Sequence, residues 1–174
     1  MNSFSLELLD ASSAKECETY ERAFYTAFQR ASGNRLIRQL WRFDDAGGRL
    51  ATRIPYDDQV IYILRDNERR IVRAMGVNVA MRSFQSAAFG FEVRDSAGTC
   101  ELLTIFSVSE YRLERGLRFQ SESFSDLLKR GFHTAFATTA RRPLPTYLRV
   151  GAQLLDEKEI EGEMRYFLKF DLTG

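Results

Sequence analysis

Apolar and polar positions change rhythm several times along the 174 residues, and each rhythm names an element. Residues 4–8 alternate apolar with polar, the period of a half-buried strand. Ser13 and Glu16 have the spacing of a capping box, and Ala14, Cys17, Tyr20, Phe24, Ala27 and Ala31 then recur at helical spacing until Gly33 closes the segment. Leu36, Ile37, Leu40 and Trp41 predict a second, short helix, and residues 44–48 a turn. From Gln59 the rhythm is that of sheet: 60–64 and 71–79 are apolar strands on either side of a polar turn at 65–70. Residues 87–93 predict a further strand, turned by 95–98 into the apolar run 100–108. Within that run, 102–108 is dense in β-formers and too short for a stable lone helix. Phe124, Leu127, Leu128 and Gly131 mark the inner face of a helix starting near Gly116. Residues 133–139 read as strand, and Pro143 and Pro145 fit the first turn of a short helix carrying Tyr147. The tail predicts a strand pair, 152–155 and 164–172, across a turn at 156–162.

This is an α+β order, and residues 1–174 make a single domain, enough to bury about 70% of the unfolded surface. Hydrophobic residues are 44% and charged ones 28%, an ordinary globular composition. Net charge is only +1, so bulk electrostatics argue for neither nucleic acid nor a membrane surface, and any anion site must be local. No apolar run approaches the roughly 20 residues of a membrane span. Cys17 and Cys100 lie far apart, and the N-terminal residues lack a basic start and a long apolar stretch. Reduced thiols and a cytoplasmic location are expected. One histidine, His133, and no cysteine cluster argue against a metal site, and any Ser-His-Asp set would have to use that same histidine.

Chemistry concentrates between Cys100 and Gly151. Arg112, Arg115, Arg118 and Gly116 fall at a strand-to-helix junction, where unpaired N–H groups and the positive dipole end suit phosphate. A solvated basic face is the alternative reading of the same arginines. Glu101 is either a proton acceptor or a solvated strand residue, and Tyr147 either an acid or a packing ring. Asp57 and Asp58 read as turn formers, and the cysteines as small hydrophobes.

Three pieces of this stretch resemble the GNAT-fold acyltransferases. Residues 108–112 (Val-Ser-Glu-Tyr-Arg) are similar to that superfamily's exit from its central strand, one residue shorter and without its proline. Residues 112–117 stand where the superfamily has its glycine-rich pyrophosphate loop, with Arg115 at the first glycine position and Gly116 one residue late. Tyr147-x-x-x-Gly151 matches a further element, with Ala152 in place of an aromatic. Further forward, Trp41, residues 54–62, Glu101-Leu and Phe106-Ser-Val108 resemble the autoinducer (acyl-homoserine-lactone) synthases, a bacterial branch whose relatives, the long-chain N-acyl amino acid synthases, share the same strand and a degenerate phosphate loop. Glu101 stands seven residues before Val108 where those synthases have six. In a strand of period two that offset flips the carboxylate to the other face, unless a β-bulge restores it.

The resemblance implies a GNAT-like fold: a mixed, mostly antiparallel sheet flanked by helices and splayed between its fourth and fifth strands. It implies an N-acyltransferase moving an acyl group from an acyl thioester, acyl-CoA or acyl-carrier protein, to a small amine, an amino acid being one candidate. No permanently bound cofactor or metal is implied. Tyr147 would protonate the departing thiolate and Glu101 would take the amine proton, directly or through water. An N–H near Phe106 to Val108 would polarise the thioester carbonyl, and Arg112, Arg115, Gly116 and Arg118 would hold the donor's phosphates. Arg73 and Arg82 are candidates for an arginine expected on the preceding hairpin. The degenerate glycine loop keeps one alternative open: a catalytically inactive GNAT-like shell that binds a ligand or partner.

Overall fold

The computed structural model describes residues 4–29, 35–93, 97–108 and 113–173. In chain order these form β1 (Ser5–Leu8), α1 (Ala14–Phe28), α2 (Arg35–Leu40), β2 (Trp41–Asp44), β3 (Arg49–Thr52), β4 (Gln59–Arg65), β5 (Ile71–Asn78), β6 (Thr99–Ser107), α3 (Leu113–Lys129), β7 (Thr134–Ala140), α4 (Leu144–Arg149), β8 (Gln153–Ile160) and β9 (Glu163–Asp171). Seven strands make one sheet in the order β1-β4-β5-β6-β7-β9-β8, and β2 and β3 form a separate hairpin. Only β6 and β7 run parallel, and α3 supplies the crossover that parallel neighbours require.

Two apolar layers sandwich the sheet. On one face Tyr20, Phe24, Leu36, Leu40 and Trp41 pack on Ile61, Ile63, Ala74 and Phe106. Phe24 stacks on Phe106 at 5.1 Å and meets Trp41 edge-on at 4.9 Å. On the other face Phe119 and Leu127 of α3 pack on Tyr62, Met75, Val77 and Phe170. A fully buried side chain of this size contributes about 1.5–3 kcal/mol, so these layers dominate the fold's stability.

Where the sheet parts is set by register. The β6–β7 pairing runs from Thr99–Thr134 to Leu102–Ala137 and goes no further. Beyond it β6 stays with β5 as far as Ser107–Arg73, and β7 stays with β9 as far as Ala140–Arg165. The separating strands are the fourth and fifth in sheet order. A β-bulge sits at the same level: Gly76 pairs with Thr104 but Val77 with Leu102, leaving Leu103 as the extra residue of β6. The bulge puts Glu101 on the same face as Phe106, so of the two outcomes its spacing from Val108 left open, a flipped carboxylate or a bulge, the structure has the bulge.

Several elements differ from the sequence reading. Residues 87–93 are not a strand: a 3-10 turn, Gln85–Phe89, ends at Gly90 with φ 74°. The N–H groups of Gln85 and Ser86 are given to the Glu101 carboxylate rather than to a neighbouring strand. β8 runs on to Ile160 through the expected turn, which shrinks to Glu161 and Gly162 with φ 51° and 81°. As an exposed edge strand β8 carries no apolar alternation to announce it. Trp41 opens β2 rather than closing α2, and α3 begins at Leu113, before Gly116. The capping box is half made: Ser13 accepts the Glu16 N–H at 3.3 Å, while the Glu16 carboxylate pairs with buried Arg65. Gly33, and residues 95 and 96 of the 95–98 turn, lie outside the described residues.

Candidate active site

Cavities follow the parting of the sheet from one face to the other. An outer groove of about 580 Å³ lies between α3 and α4, with Leu117, Phe124, Leu128 and Arg149 among its walls. A neck of about 40 Å³ shares Gln120 and Phe124 with it and reaches residues 102–105 of β6 and Ala137 and Thr138 of β7. An inner chamber of about 150 Å³ then opens on the opposite face, walled by Phe28, Ile37, Leu40 and Trp41. Neck and chamber share Leu103, Thr104, Ile105, Thr138 and Tyr147.

Tyr147 is held there by the way α4 starts and stops. Pro143 precedes the helix and Pro145 sits in its first turn, where a missing N–H costs nothing. At the other end Gly151 has φ 95°, the Gly151 N–H reaches Leu148 O at 3.2 Å, and the Ala152 N–H reaches Tyr147 O at 3.0 Å. This is a Schellman closure, and it explains the spacing of the tyrosine and glycine: the carbonyl that the turn captures belongs to Tyr147. The ring stands edge-on to Phe170 at 6.1 Å. Burial pushes its hydroxyl up to about 12, with Arg73 pulling the other way. The phenol is therefore protonated at neutral pH and has a proton to give.

The bulged strand supplies amides. The Val108 N–H is given to Val72 O at 3.0 Å, and Phe106, paired with Ala74, occupies the equivalent position of the ladder. In an antiparallel ladder the alternate residues point the other way, so it is Ile105 and Ser107 whose N–H groups face the side that β7 has left. The amides of Phe106 and Val108 thus face β5 and not the gap.

Around the start of α3, Gly116 is buried against Arg73, whose Nη1 would lie 2.9 Å from an added Cβ. Arg73 also donates to Ser107 Oγ at 3.0 Å and lies over the Phe119 ring at 5.5 Å. Arg118 is exposed and paired with Glu122 at 2.7 Å. Arg112 lies outside the described residues, and of Arg115 only the helical backbone is described.

Glu101 is fully buried, with every lone pair in use. Its Oε1 accepts from the Ser86 N–H and hydroxyl, both at 2.7 Å, and its Oε2 from the Gln85 N–H at 2.8 Å and Asn78 Nδ2 at 3.4 Å. Burial pushes the carboxyl above its ordinary range, against the pull of these donors. It lines neither neck nor chamber; Gln85, which it holds, lines the chamber. The Gln85 amide in turn donates to Leu103 O at 2.9 Å, at the bulge, and accepts from the Trp41 indole at 3.0 Å. A chain of hydrogen bonds thus runs from Glu101 to the bulge and to the chamber wall.

The other candidates fall elsewhere. Asp57 is exposed, while Asp58 is buried and paired with Arg82 at 2.7 Å. His133 is exposed at the start of β7, and both cysteines are free thiols, Cys100 being pushed up to about 12 by burial. The sequence reading passed over Gln85, Asn78 and Arg165. Arg165 had a signal: it shares strand parity with buried Phe167, so β9 turns it inward.

No protein-family model matches the chain, and no curated protein matches it in sequence. Solved structures do match. The CoA-dependent acyl-homoserine lactone synthase BjaI, in complex with SAM and isopentyl-CoA, superposes with a TM-score of 0.75 at 18% identity, covering 98% of this chain and 84% of that one. The acyl-homoserine lactone synthase LasI gives 0.71 at 11% identity, over 99% and 91%. A putative N-acetyltransferase from Lactobacillus plantarum gives 0.64 at 12% identity, over 98% and 99%. The chain has the GNAT fold, as its short motifs implied.

Proposed function

We propose that the protein is an N-acyltransferase, taking an acyl group from an acyl thioester and placing it on a small amine. The observation that carries this reading is the parting of β6 from β7, with cavities entering it from both faces and Tyr147 in the walls of both. The fold shared with acyl-homoserine lactone synthases and an N-acetyltransferase supports it.

The donor occupies the outer groove between α3 and α4, with its phosphates at the start of α3 near Gly116 and Arg73. Its thioester passes the neck, where the Ile105 N–H, pointing into the gap, polarises the carbonyl. The acceptor enters from the inner chamber. Holding the two reactants in attack geometry is worth about 7–11 kcal/mol, which makes positioning the main catalytic device for an already activated thioester. The amine nitrogen bonds to the carbonyl carbon, the C–S bond breaks, and the Tyr147 hydroxyl gives its proton to the sulfur. The proton lost by the nitrogen returns to Tyr147 through water, so the cycle needs no net base. Glu101 acts as a positioning residue: it fixes Gln85, and through it the bulge that aims the Ile105 amide.

The test is thiol release. Purified protein is offered acyl-CoA of several chain lengths, or acyl-carrier protein, with a pool of amines, and free thiol is followed together with the mass of the acylated product. Amine-dependent release establishes transfer. Donor binding by calorimetry without any release, across the whole series, overturns it in favour of a binding module. Arg112 and Arg115, carried from the sequence, are tested by the same calorimetry: their double reversal to glutamate lowers donor affinity strongly, because charge-assisted phosphate contacts are worth roughly 1.5–3 kcal/mol each.

A further inference from the structure

Arg165 is the charged side chain in the wall of the inner chamber, and it is only 5% exposed. It sits on β9 opposite Ala140, at the level where β7 has already left β6. Its guanidinium lies over the Phe89 ring at 5.1 Å, which fixes its plane. Yet among the described residues its Nε and Nη2 have no hydrogen-bond acceptor. Glu163 Oε2 stands 3.5 Å from Nη2, an ion pair without a hydrogen bond. Thr104 Oγ1, of another chamber residue, is likewise buried and without a partner among the described residues. Folded proteins rarely leave buried donors unmade, and a buried charge is the costliest of them. Glu163 meets part of the charge, but an arginine cannot shed its donors by losing a proton, so the unmade Nε–Nη2 edge marks a place where a pair of acceptor oxygens is meant to sit.

The shape of the fork names the anion. Nε and Nη2 are the two parallel donors of one guanidinium edge, the pair that grips both oxygens of a carboxylate. The remaining walls are largely apolar, with Phe28, Ile37, Leu40 and Trp41 facing the guanidinium's chamber. We propose that Arg165 binds the carboxylate of the acceptor, so that the inner chamber takes an amine that also bears a carboxylate and an apolar body. This deepens the acyl-transfer reading and rests on it for the amine, while the carboxylate site itself stands on Arg165 alone.

Two measurements separate the two ideas. The chain has a single tryptophan, and Trp41 lines this chamber, so its fluorescence reports occupancy without any turnover. Titration with isocaproate and with its uncharged amide is compared in the natural protein, Arg165→Gln and Arg165→Lys. The expected result is saturable isocaproate binding, at least about tenfold weaker amide binding, loss of that preference in Arg165→Gln and partial retention in Arg165→Lys. Because the fork is unsatisfied in the folded chain, Arg165→Gln should melt no lower than the natural protein. Equal binding of acid and amide, or a preference that survives Arg165→Gln, overturns the proposal. The second arm compares leucine with leucinamide as acceptors in the thiol-release assay, where leucine should win and the advantage should vanish in Arg165→Gln. Isocaproate binding that depends on Arg165, with no thiol release from any donor and amine, keeps the carboxylate site and removes the acyl-transfer reading. Leucinamide acylated as well as leucine overturns the assignment of Arg165 to the acceptor.

Discussion

At the scale of single residues, the proposed transfer gives Tyr147 contact with the reacting atoms and leaves Glu101 to shape their surroundings. Tyr147 makes no hydrogen bond through its hydroxyl among the described residues, and its ring packs edge-on against Phe170. Tyr147→Phe keeps that packing and removes only the acid. Turnover should fall about 10²–10⁴-fold while melting temperature and donor affinity stay nearly unchanged. Full turnover in that variant, with chemistry rate-limiting, removes the assignment, and a large loss of melting temperature makes the ring structural. Glu101 should behave in the opposite way. Glu101→Gln turns an N–H₂ group toward the Ser86 or Gln85 N–H, and setting donor against donor in a buried place costs about 1–3 kcal/mol. Urea denaturation should register this loss, with activity falling because Gln85 and the bulge shift. A Glu101→Gln protein that keeps its stability but loses turnover would make the carboxylate a proton acceptor after all.

Between residue and fold lie two small devices, the Schellman turn that ends α4 and the bulge at Leu103. Gly151 has nothing within 4 Å of an added Cβ, so its requirement is the backbone angle and not space. Gly151→Ala should therefore cost about 1–2 kcal/mol, read as a lower melting temperature. It should also lower turnover beyond what that loss explains, since the turn holds the Tyr147 carbonyl. Turnover unchanged at full occupancy would mean that the turn does not set the tyrosine's position. Both devices were partly legible in the sequence. The spacing from Tyr147 to Gly151, after two prolines, is a local pattern and survived intact into the structure. The seven-residue step from Glu101 to Val108 marked the place as either a flipped carboxylate or a bulge, and the structure has the bulge. What the sequence could not carry were elements set by distant partners. The 87–93 segment has strand composition, but the Glu101 carboxylate captures the amides of Gln85 and Ser86 just before it, and the chain there runs as a 3-10 turn, Gln85–Phe89. β8 has no apolar face because it lies at the sheet's edge. Parity with Phe167 turns Arg165 inward, but the chamber it faces exists only because β6 and β7 separate in front of it, a long-range event no local pattern reports.

At the scale of the molecule, the sheet parts between β6 and β7, and in the proposed transfer the groups lining that parting fix the response to pH. Neck and chamber contain no carboxylate, histidine or thiol among their lining residues; Tyr147 and Arg165 are the ionisable ones. A tyrosine acts as an acid only below its pKa. Raising that value to about 12 keeps Tyr147 loaded with its proton well into the alkaline range, so it imposes no falling limb near neutrality. Arg165 stays charged throughout, and Glu101 exchanges no proton with the acceptor in this scheme. The remaining proton event is the acceptor's own, because only the neutral amine attacks. The rate at low acceptor concentration should climb with unit slope up to the acceptor's ammonium pKa and then level off. Exchanging the acceptor for a less basic amine should move the limb down by the difference between the two amines. Tyr147→Phe should lower the plateau and leave the limb in place. A limb in the carboxylate range that stays fixed when the acceptor changes would mean that Glu101 titrates in the reaction, and the positioning role assigned to it would fall.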